Sequence, residues 1–251
     1  MMKRSDRRHD ILDLLRDGDA HAIVAMAEAL AVSDETIRRE LRQLETAGLV
    51  ERIHGGARLA KTAEEGAFEV RLGRNAAAKQ RIAAAVARCV EDGQSLYLDA
   101  SSTSYYVAQA LRSKRDLTVV TNALGVVQEL GGRNGNRVYA AGGELDHRYR
   151  AYFDSDACAY LARFRPRLAI ISTESVDPVA GFTNYHVGEA ALCRQMIAQS
   201  ERVLIAVDAA KFDRCSVAAV ASFAEVDIVV ADRVPGEAYA AAITTIEWVV
   251  C

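Results

Sequence analysis

Residues 33–56 read SDETIRRELRQLETAGLVERIHGG. Within this stretch Ile37, Leu41 and Leu44 recur at the spacing of one helix face, so they predict a buried seam. Ser33 stands just before the stripe and belongs to the residue types that cap helix N-termini. The other faces carry polar and basic side chains, which are Thr36, Arg38, Arg39, Arg42 and Gln43. The segment therefore predicts a short amphipathic helix with a basic outer surface.

The flanking sequence predicts the partners of this helix. Apolar stripes over 9–16 and 23–30 predict two more helices upstream, the first ending at Asp17-Gly18. Downstream, LVERI (49–53) and ARL (57–59) predict two short strands joined by a glycine-containing turn. Helix, helix, turn, polar helix and β-hairpin together make a winged helix-turn-helix domain over residues 1–59.

This architecture suits DNA binding, because a short helix fits the major groove and arginine can pair with guanine through two hydrogen bonds. Hairpin residues lie within reach of phosphates. A solvated helix face is the alternative, since acidic residues outnumber basic ones by one over residues 1–60. The candidate DNA-binding residues are Ser33, Thr36, Arg38, Arg39, Arg42, Gln43, Arg52, His54, Gly55 and Gly56.

A second domain is predicted over residues 76–251, after a linker at 60–75 that has no sustained apolar period. Helix-length segments there alternate with short β-branched runs, a pattern typical of a parallel sheet covered on both faces. The expected fold class is thus an N-terminal winged helix-turn-helix followed by an α/β domain. The runs are SLYLD (95–99), LTVVT (117–121), RVYAA (137–141), RLAIIS (167–172), RVLIAVD (202–208), DIVVAD (227–232) and TIEWVV (245–250).

Composition excludes several other classes of protein. A net charge of −3 argues against a protein that binds polyanions over its whole surface. No apolar run reaches the roughly 20 residues of a membrane helix, and no signal peptide is visible. The five scattered cysteines show no CxxC spacing and no accompanying histidine cluster. We therefore expect a cytoplasmic protein without disulfides, metal or cofactor.

Three predicted strands end in polar residues that could bind a ligand. They lie in LYLDASSTSYYVAQAL (96–111), VVTNAL (119–124) and VDAAKFD (207–213). Hydroxyl groups and backbone N–H groups at a helix N-terminus form an anion site, although simple N-capping by serine and threonine also explains the first run. Because ligands of open α/β sheets bind at the carboxyl ends of strands, the three runs together favour a ligand site.

The stretch SDETIRRELRQLETAGLVERIHGGA also resembles the signature of DeoR-family transcription regulators. In that family a serine-led TIRRDL helix is followed by a glycine-leucine step and RxHGGA, and Glu40 here replaces the usual aspartate. The resemblance covers the whole N-terminal domain and implies that the arginines read an operator.

The resemblance extends to the C-terminal domain. It implies a sensor domain similar to sugar-phosphate isomerases and CoA-transferases, with LDxGTT, a TN pair, a GG pair and DxSKF. Family members usually repress sugar or polyol operons and are released by a phosphorylated intermediate. The implied effector-binding residues are Lys79, Asp99, Ser101, Ser102, Thr103, Thr121, Asn122, Gly142, Gly143, Asp208 and Lys211, and Phe212 completes the last motif.

Two departures from the family pattern concern the effector. Ser101 replaces the glycine of GTT, and its side chain would crowd a phosphate held by the backbone. A glycine-rich GxxG is replaced by residues 172–175, where Glu174 would repel an anion. We therefore expect a retuned pocket for another phosphate ester or an uncharged sugar. The runs GGEL, FTNYHVGEA and IEWVVC resemble family members that regulate glycerol 3-phosphate genes, so glycerol 3-phosphate is a candidate effector.

The expected function is a ligand-controlled DNA-binding repressor without catalytic activity, acting as a homo-oligomer, a dimer or a tetramer. The main alternative is a phosphosugar isomerase or hydrolase with an appended DNA-binding domain, in which Asp99, Asp208 and Lys211 would perform acid/base catalysis. A non-specific nucleoid protein is a third reading. His186 and Glu189 could face a ligand, but a surface pair is at least as plausible.

Overall fold

The protein was analysed as a computed structural model, which describes residues 4–15, 20–46, 50–53, 55–59 and 68–251. By its internal contacts the chain divides into two compact units, Met1–Arg71 and Leu72–Cys251.

In its described residues up to Leu59, the first unit contains three helices and a small antiparallel sheet. Its strands follow the order β1-β3-β2, so the two-residue strand β1, which the sequence did not predict, adds to the edge of the hairpin. The elements are α1 (Arg4–Leu14), β1 (His21–Ala22), α2 (Ile23–Ala29), α3 (Asp34–Thr46), β2 (Val50–Ile53) and β3 (Gly56–Leu59). They are the elements of a winged helix-turn-helix. Helix α1 begins at Arg4 rather than at residue 9, and its predicted end at Asp17-Gly18 lies outside the described residues.

The core of this unit confirms the predicted seam of the third helix. Ile37 and Leu41 are fully buried and Leu44 is 3% exposed. They pack with Ile11 of α1 and Met26 of α2 in one apolar cluster. Burial of this single stripe leaves the other faces of α3 available to solvent.

The N-terminus of α3 is capped as predicted. The Thr36 N–H donates to the Ser33 Oγ at 3.3 Å, and Asp34 and Glu35 lie in the first turn. Ala31 adopts a left-handed conformation (φ 53°), which tightens the connection from α2. The short turn and the cap together fix where α3 begins.

The predicted linker is partly wrong. Residues 60–67 lie outside the described residues, but Phe68–Gly73 forms a short helix, α4. Phe68 is buried and Val70 packs against the apolar cluster of the first unit. Six residues are too few for a periodic pattern to stand out, which explains the wrong prediction.

The second unit is built around a seven-stranded sheet with order β15-β14-β12-β9-β4-β5-β6, in which every pairing is parallel. Each of the seven predicted runs contains one of these strands. The strands are β4 (Ser95–Leu98), β5 (Thr118–Thr121), β6 (Arg137–Ala140), β9 (Leu168–Ile171), β12 (Arg202–Val207), β14 (Ile228–Ala231) and β15 (Glu247–Val250). The strand order reverses between β4 and β9, which defines a topological switch point.

Helices and smaller sheets complete the unit. A hairpin, β7 with β8, and a three-stranded sheet of order β10-β11-β13 lie outside the predicted runs. The helices are α5 (Ala76–Arg88), α6 (Ser102–Ala110), α7 (Leu124–Leu130), α8 (Ser155–Leu161), α9 (Val187–Ala198) and α10 (Ala240–Ile243); the remaining strands are β7 (Leu145–Asp146), β8 (Ala151–Tyr152), β10 (Ser175–Asp177), β11 (Gly181–Asn184) and β13 (Ala218–Ala221).

Both faces of the seven-stranded sheet are covered, as predicted. Successive strand residues point to opposite faces, so Leu96 and Leu98 pack in one cluster with Ile82 of α5. Tyr97 lies between them in sequence and packs in the other cluster, with Met196 of α9. Two apolar layers therefore enclose the sheet and leave its carboxyl edge to polar residues.

Tyr97 connects the centre of the sheet to the surrounding loops. It is fully buried, and its hydroxyl lies 2.8 Å from the Leu161 O, 3.1 Å from the Phe164 O and 3.0 Å from the Gln199 Oε1. Burial raises the pKa of this phenol to about 12, so the hydroxyl remains a donor at physiological pH.

We predict that Tyr97→Phe lowers the free energy of unfolding of the second unit by about 1–3 kcal/mol, because buried acceptors lose their donor. Urea denaturation of the full chain measures the change. Tyr160→Phe is the matched control, since its hydroxyl makes no hydrogen bond to any described residue. Equal stability of the two variants would contradict this role of Tyr97.

Candidate DNA-binding and effector sites

Helix α3 presents the predicted basic surface to solvent. Arg38, Arg39, Arg42 and Gln43 are exposed. Arg39 lies 3.7 Å from Glu40, and Arg42 lies 4.0 Å from Glu35. The Arg42–Glu35 pair is exposed on both sides, whereas Glu40 is buried. Exposed ion pairs contribute only about 0–1 kcal/mol, so a phosphate or base can replace Glu35 at little cost.

Glu40 is buried beneath this surface and binds basic residues of α1. Its side chain is 1% exposed, and its Oε2 accepts a hydrogen bond from the Arg8 Nε at 2.9 Å. Arg7 lies 4.0 Å from the same carboxylate, and Arg8 also donates to the Gln43 Oε1. Glu40 thus ties α1 to α3, and sequence reasoning missed Arg7 and Arg8.

The hairpin forms the predicted wing. Strands β2 and β3 pair in antiparallel register with Ile53 opposite Gly56, and Gly55 occupies the turn with φ 78°. Arg52 lies 3.5 Å from Glu45. His54, the remaining predicted wing residue, lies outside the described residues.

Gly56 has a structural reason to be glycine that the sequence did not reveal. A Cβ at this position would lie 2.3 Å from the carbonyl oxygen of His21 in β1. The close approach comes from the pairing of β1 with β3, in which Ala22 faces Gly56. The fold of the wing therefore requires this glycine whether or not DNA is bound.

The effector residues predicted from the sequence lie at the carboxyl ends of the parallel strands. Lys79 of α5 is 3% exposed, and its Nζ donates to the Ser102 Oγ at 2.9 Å. Ser102 and Thr103 are both buried in the first turn of α6. A buried ammonium group therefore lies beside the N-terminus of α6, where an anion would be favoured.

Asp99 joins the strands on either side of the switch point. Its Oδ2 accepts a hydrogen bond from the Ser172 N–H, which follows β9, at 2.9 Å. Its Oδ1 accepts one from the Ser104 hydroxyl of α6. The carboxylate is 1% exposed and thus has a structural role in the fold.

Ser101 caps α6. Its backbone is extended (φ −117°, ψ 165°), and its Oγ accepts a hydrogen bond from the Ser104 N–H at 2.9 Å. The capping alternative for this run is therefore confirmed at Ser101. Its side-chain oxygen is directed to the backbone of the helix rather than left unpaired.

The TN pair after β5 is buried. The Thr121 Oγ1 accepts from the Ala123 N–H at 3.1 Å, and the Asn122 Nδ2 donates to the Tyr152 O at 3.0 Å. Thr121 is fully buried and Asn122 is 1% exposed. Both side chains stabilise the start of α7 and the hairpin beside it.

Asp208 and Lys211 follow β12, two strands from β4. The Asp208 Oδ1 accepts from the Asn75 Nδ2 at 2.9 Å and from the Ala210 N–H at 3.1 Å. Lys211 lies half-buried on the single turn Ala209–Lys211, and its side chain forms no hydrogen bond or ion pair with any described residue. Lys211 is therefore a cation available to a ligand.

Gly142 and Gly143 are exposed after β6, at the end of the sheet. A Cβ on Gly143 (φ 132°) would lie 2.2 Å from the Asp154 carboxylate. That carboxylate accepts N–H groups of Ala157 and Glu144, which lower the pKa of Asp154. Packing against Asp154 explains this glycine.

Residues 172–175, which replace the family's glycine-rich segment, are buried. The Glu174 Oε2 accepts from the Tyr185 N–H at 2.7 Å, and the Glu174 N–H donates to the Asn184 Oδ1 at 2.9 Å. The Ser175 and Ser216 hydroxyls lie 2.7 Å apart. Glu174 thus anchors one loop to another, a role that the sequence did not indicate.

The alternative of a surface pair for His186 and Glu189 is wrong. The His186 Nδ1 accepts from the Glu189 N–H at 2.9 Å and so caps α9. Its ring lies 4.9 Å from Tyr149 and 4.7 Å from Phe153, between ring centroids. Glu189 is only 3% exposed. Capping geometry and burial, rather than surface charge, determine these positions.

Of the predicted effector residues, Lys79 therefore contacts Ser102 directly. Asp99 contacts Ser104 and Ser172. Asp208 and Lys211 lie at a separate strand end, and Gly142 and Gly143 at another. A polar groove elsewhere is lined by Gln94, Arg167, Arg202 and neighbours at the amino ends of the strands, away from these residues.

Two further findings concern metals and membranes. In the described part of the chain, no group of three or more histidine, cysteine, aspartate or glutamate residues could hold a metal ion. Among the same residues, no helix has the length and apolarity needed to cross a membrane.

Comparison with known proteins assigns both units. A model of the DeoR-like helix-turn-helix domain matches residues 7–63, and a model of the DeoR C-terminal sensor domain matches residues 74–233. The chain therefore belongs to the DeoR family: it is a transcription regulator with a DNA-binding domain followed by an α/β sensor domain. The expected fold class is confirmed.

Three characterised relatives show the range of the family. The chain is 34% identical to the transcriptional repressor AccR of Agrobacterium fabrum, covering 90% of this chain and 89% of the relative. It is 30% identical to the glycerol-3-phosphate regulon repressor of Escherichia coli, covering 93% of each. It is also 30% identical to the L-fucose operon activator of Escherichia coli, covering 92% of this chain and 96% of the relative.

We predict that Ser101→Ala lowers the free energy of unfolding by about 1 kcal/mol, whereas Ser101→Gly lowers it by only a few tenths. Glycine tolerates the N-cap position and restores the residue that the family pattern has here. Denaturant unfolding of the full chain measures both values. If the alanine variant is as stable as the wild type, the capping hydrogen bond contributes nothing.

Proposed function

We propose that this protein represses an operon for carbohydrate or polyol catabolism and leaves its operator when a phosphorylated sugar or polyol binds the sensor domain. Two of the relatives described above are repressors, which supports this direction of control. One relative described above is an activator. Transcription from the regulated promoter, measured with and without this protein, therefore decides between repression and activation.

The operator would be read by the exposed face of α3, with the wing on the adjacent phosphates. Arg38, Arg39 and Arg42 are suited to bases or phosphates, and Arg52 with Gly55 would contact the backbone. Gln43, held by Arg8, would enter the groove in a fixed orientation. The proposed DNA interface also includes Ser33, Thr36, His54 and Gly56.

The buried ammonium group of Lys79 beside the first turn of α6 carries the effector proposal. The Lys79 Nζ lies 2.9 Å from the Ser102 hydroxyl. This contact is at the switch point of the sheet, where ligands of such folds bind. We place the phosphate there, with Ser101 and Thr103 beside it. The remaining residues that we propose to line the effector site are Asp99, Thr121, Asn122, Gly142, Gly143, Asp208 and Lys211.

The contacts of Glu174 favour a phosphate ester over an uncharged sugar. Its carboxylate accepts the Tyr185 N–H, so part of its charge is compensated within the protein. Glycerol 3-phosphate therefore stays a candidate effector.

We also propose that the protein has no catalytic activity. Asp99 and Asp208, the carboxylates that an isomerase would need, each accept two hydrogen bonds from the surrounding chain. A carboxylate committed in this way is a poor general base. Turnover of any sugar phosphate by the purified protein would contradict this proposal.

Regulation would follow from linkage, because effector and operator favour different arrangements of the protein. We propose a homodimer or homotetramer, since a single recognition helix reads only one half-site. As a transcription regulator the protein would act in the cytoplasm.

We predict that Arg38→Ala weakens operator binding by about 1–3 kcal/mol, because it removes a base contact. Fluorescence anisotropy on the protein's own upstream DNA at fixed salt measures the change. Arg133→Ala is the matched control, since Arg133 is exposed in the sensor domain. Equal affinities of the two variants would contradict the assignment of α3.

We predict that Lys211→Ala retains wild-type operator affinity but no longer responds to effector, because the effector loses a cation at the carboxyl edge of the sheet. Lys114→Ala, a half-buried lysine at the amino edge of the sheet, is the control. A promoter fusion with and without inducing carbon sources measures the response. Normal induction of the Lys211 variant would exclude Lys211 from the effector site.

A further inference from the structure

Among the buried polar atoms of the sensor domain, three neutral ones near the carboxyl ends of the central strands make no hydrogen bond within the part of the chain that the structure describes. They are the Asn122 Oδ1, the Thr173 Oγ1 and the Asn184 Nδ2. The three residues are 1%, 3% and 0% exposed. A buried polar atom without a partner costs free energy that a ligand could recover by supplying the missing hydrogen bond.

These atoms lie around the switch point. Asn122 follows β5, which is the neighbour of β4 in the sheet. Thr173 comes directly after Ser172, whose N–H is bound by Asp99 at the end of β4. Asn184 is tied to the same segment, because its Oδ1 accepts the Glu174 N–H at 2.9 Å.

The three atoms differ in chemistry from Lys79. One is an acceptor, one is a donor, and the threonine hydroxyl can act as either, while none carries a charge. Such a set suits the hydroxyl groups of a polyol, which also donate and accept. It does not suit a phosphate, which offers only acceptors at neutral pH.

We infer that Thr173 and Asn184, together with Asn122, form a hydroxyl-binding subsite that recognises the polyol part of a phosphorylated effector. The inference rests on the proposed function, in which Lys79 binds the phosphate. It assigns the neutral residues to specificity, because a site built to pair with hydroxyl groups rejects analogues that lack them.

Access to the subsite requires a rearrangement. All three atoms are closed to solvent, so the effector reaches them by displacing neighbouring side chains. Segment 172–175 is held by the contacts from Asp99 and Asn184, and Glu174 connects it to the Tyr185 backbone. Movement of this segment would therefore be passed on to the residues before α9.

The test uses the full-length protein and Thr173→Val, which replaces the hydroxyl with a methyl group of similar size. Isothermal titration with glycerol 3-phosphate, ribose 5-phosphate and fructose 6-phosphate measures binding of each. For the tightest of these compounds we expect the dissociation constant to rise about tenfold, the loss of one hydrogen bond. Thr173→Ser, which keeps the hydroxyl, should bind within about twofold of the wild type.

Two controls separate recognition from stability. Without added ligand, the melting temperature of Thr173→Val should not fall, because the hydroxyl has no hydrogen-bond partner to lose among the described residues. Thr118→Val, at the amino end of β5, makes the same chemical change away from the subsite and should bind the effector normally.

A hydroxyl-free probe tests the chemistry of the ligand. The wild type should bind n-propyl phosphate more weakly than glycerol 3-phosphate. In Thr173→Val the ratio of the two dissociation constants should be smaller than in the wild type. Equal binding of the tightest compound by the wild type and Thr173→Val overturns the subsite and leaves the proposed function intact. Binding of none of the phosphate esters by the wild type overturns both.

Discussion

The carboxylate of Asp99 is the point on which the sensor domain depends. It accepts the Ser172 N–H on one side and the Ser104 hydroxyl on the other, so it joins β4, α6 and the end of β9 where the strand order reverses. A buried charge is tolerated only with such partners. By binding Ser104, Asp99 holds the first turn of α6 beside the end of β4. Ser102 belongs to the same turn and contacts Lys79, so both residues lie at this strand end.

Much of the fold follows from local sequence. The seven strands of the parallel sheet were predicted because buried parallel strands consist of uninterrupted β-branched and apolar runs. The short strands β7, β8, β10, β11 and β13 were not, since GFTN mixes apolar with polar residues and AAVA contains a single β-branched residue. Helix α1 extends back to Arg4 through polar residues that show no apolar period.

The site was less predictable, because its contacts join distant parts of the chain. The residue types at the strand ends indicate Asp99 and Asp208, and the seam of α3 indicates its arginines. Lys79 is implied only by the family resemblance. Nothing local indicated that Glu40 would bind Arg8 or that Glu174 would bind the Tyr185 backbone. The sequence predicts Gly56 as a DNA contact, but the pairing of β1 with the wing already requires a glycine there.

We propose that ligand binding at the carboxyl edge of the sheet weakens operator binding. Fluorescence anisotropy of the full-length protein on its own upstream DNA, at fixed salt and with a panel of phosphorylated sugars and polyols, tests it most directly. We predict that one compound lowers the affinity for DNA at least fivefold, a coupling of about 1 kcal/mol. Tight DNA binding that no phosphate ester disturbs would contradict the account.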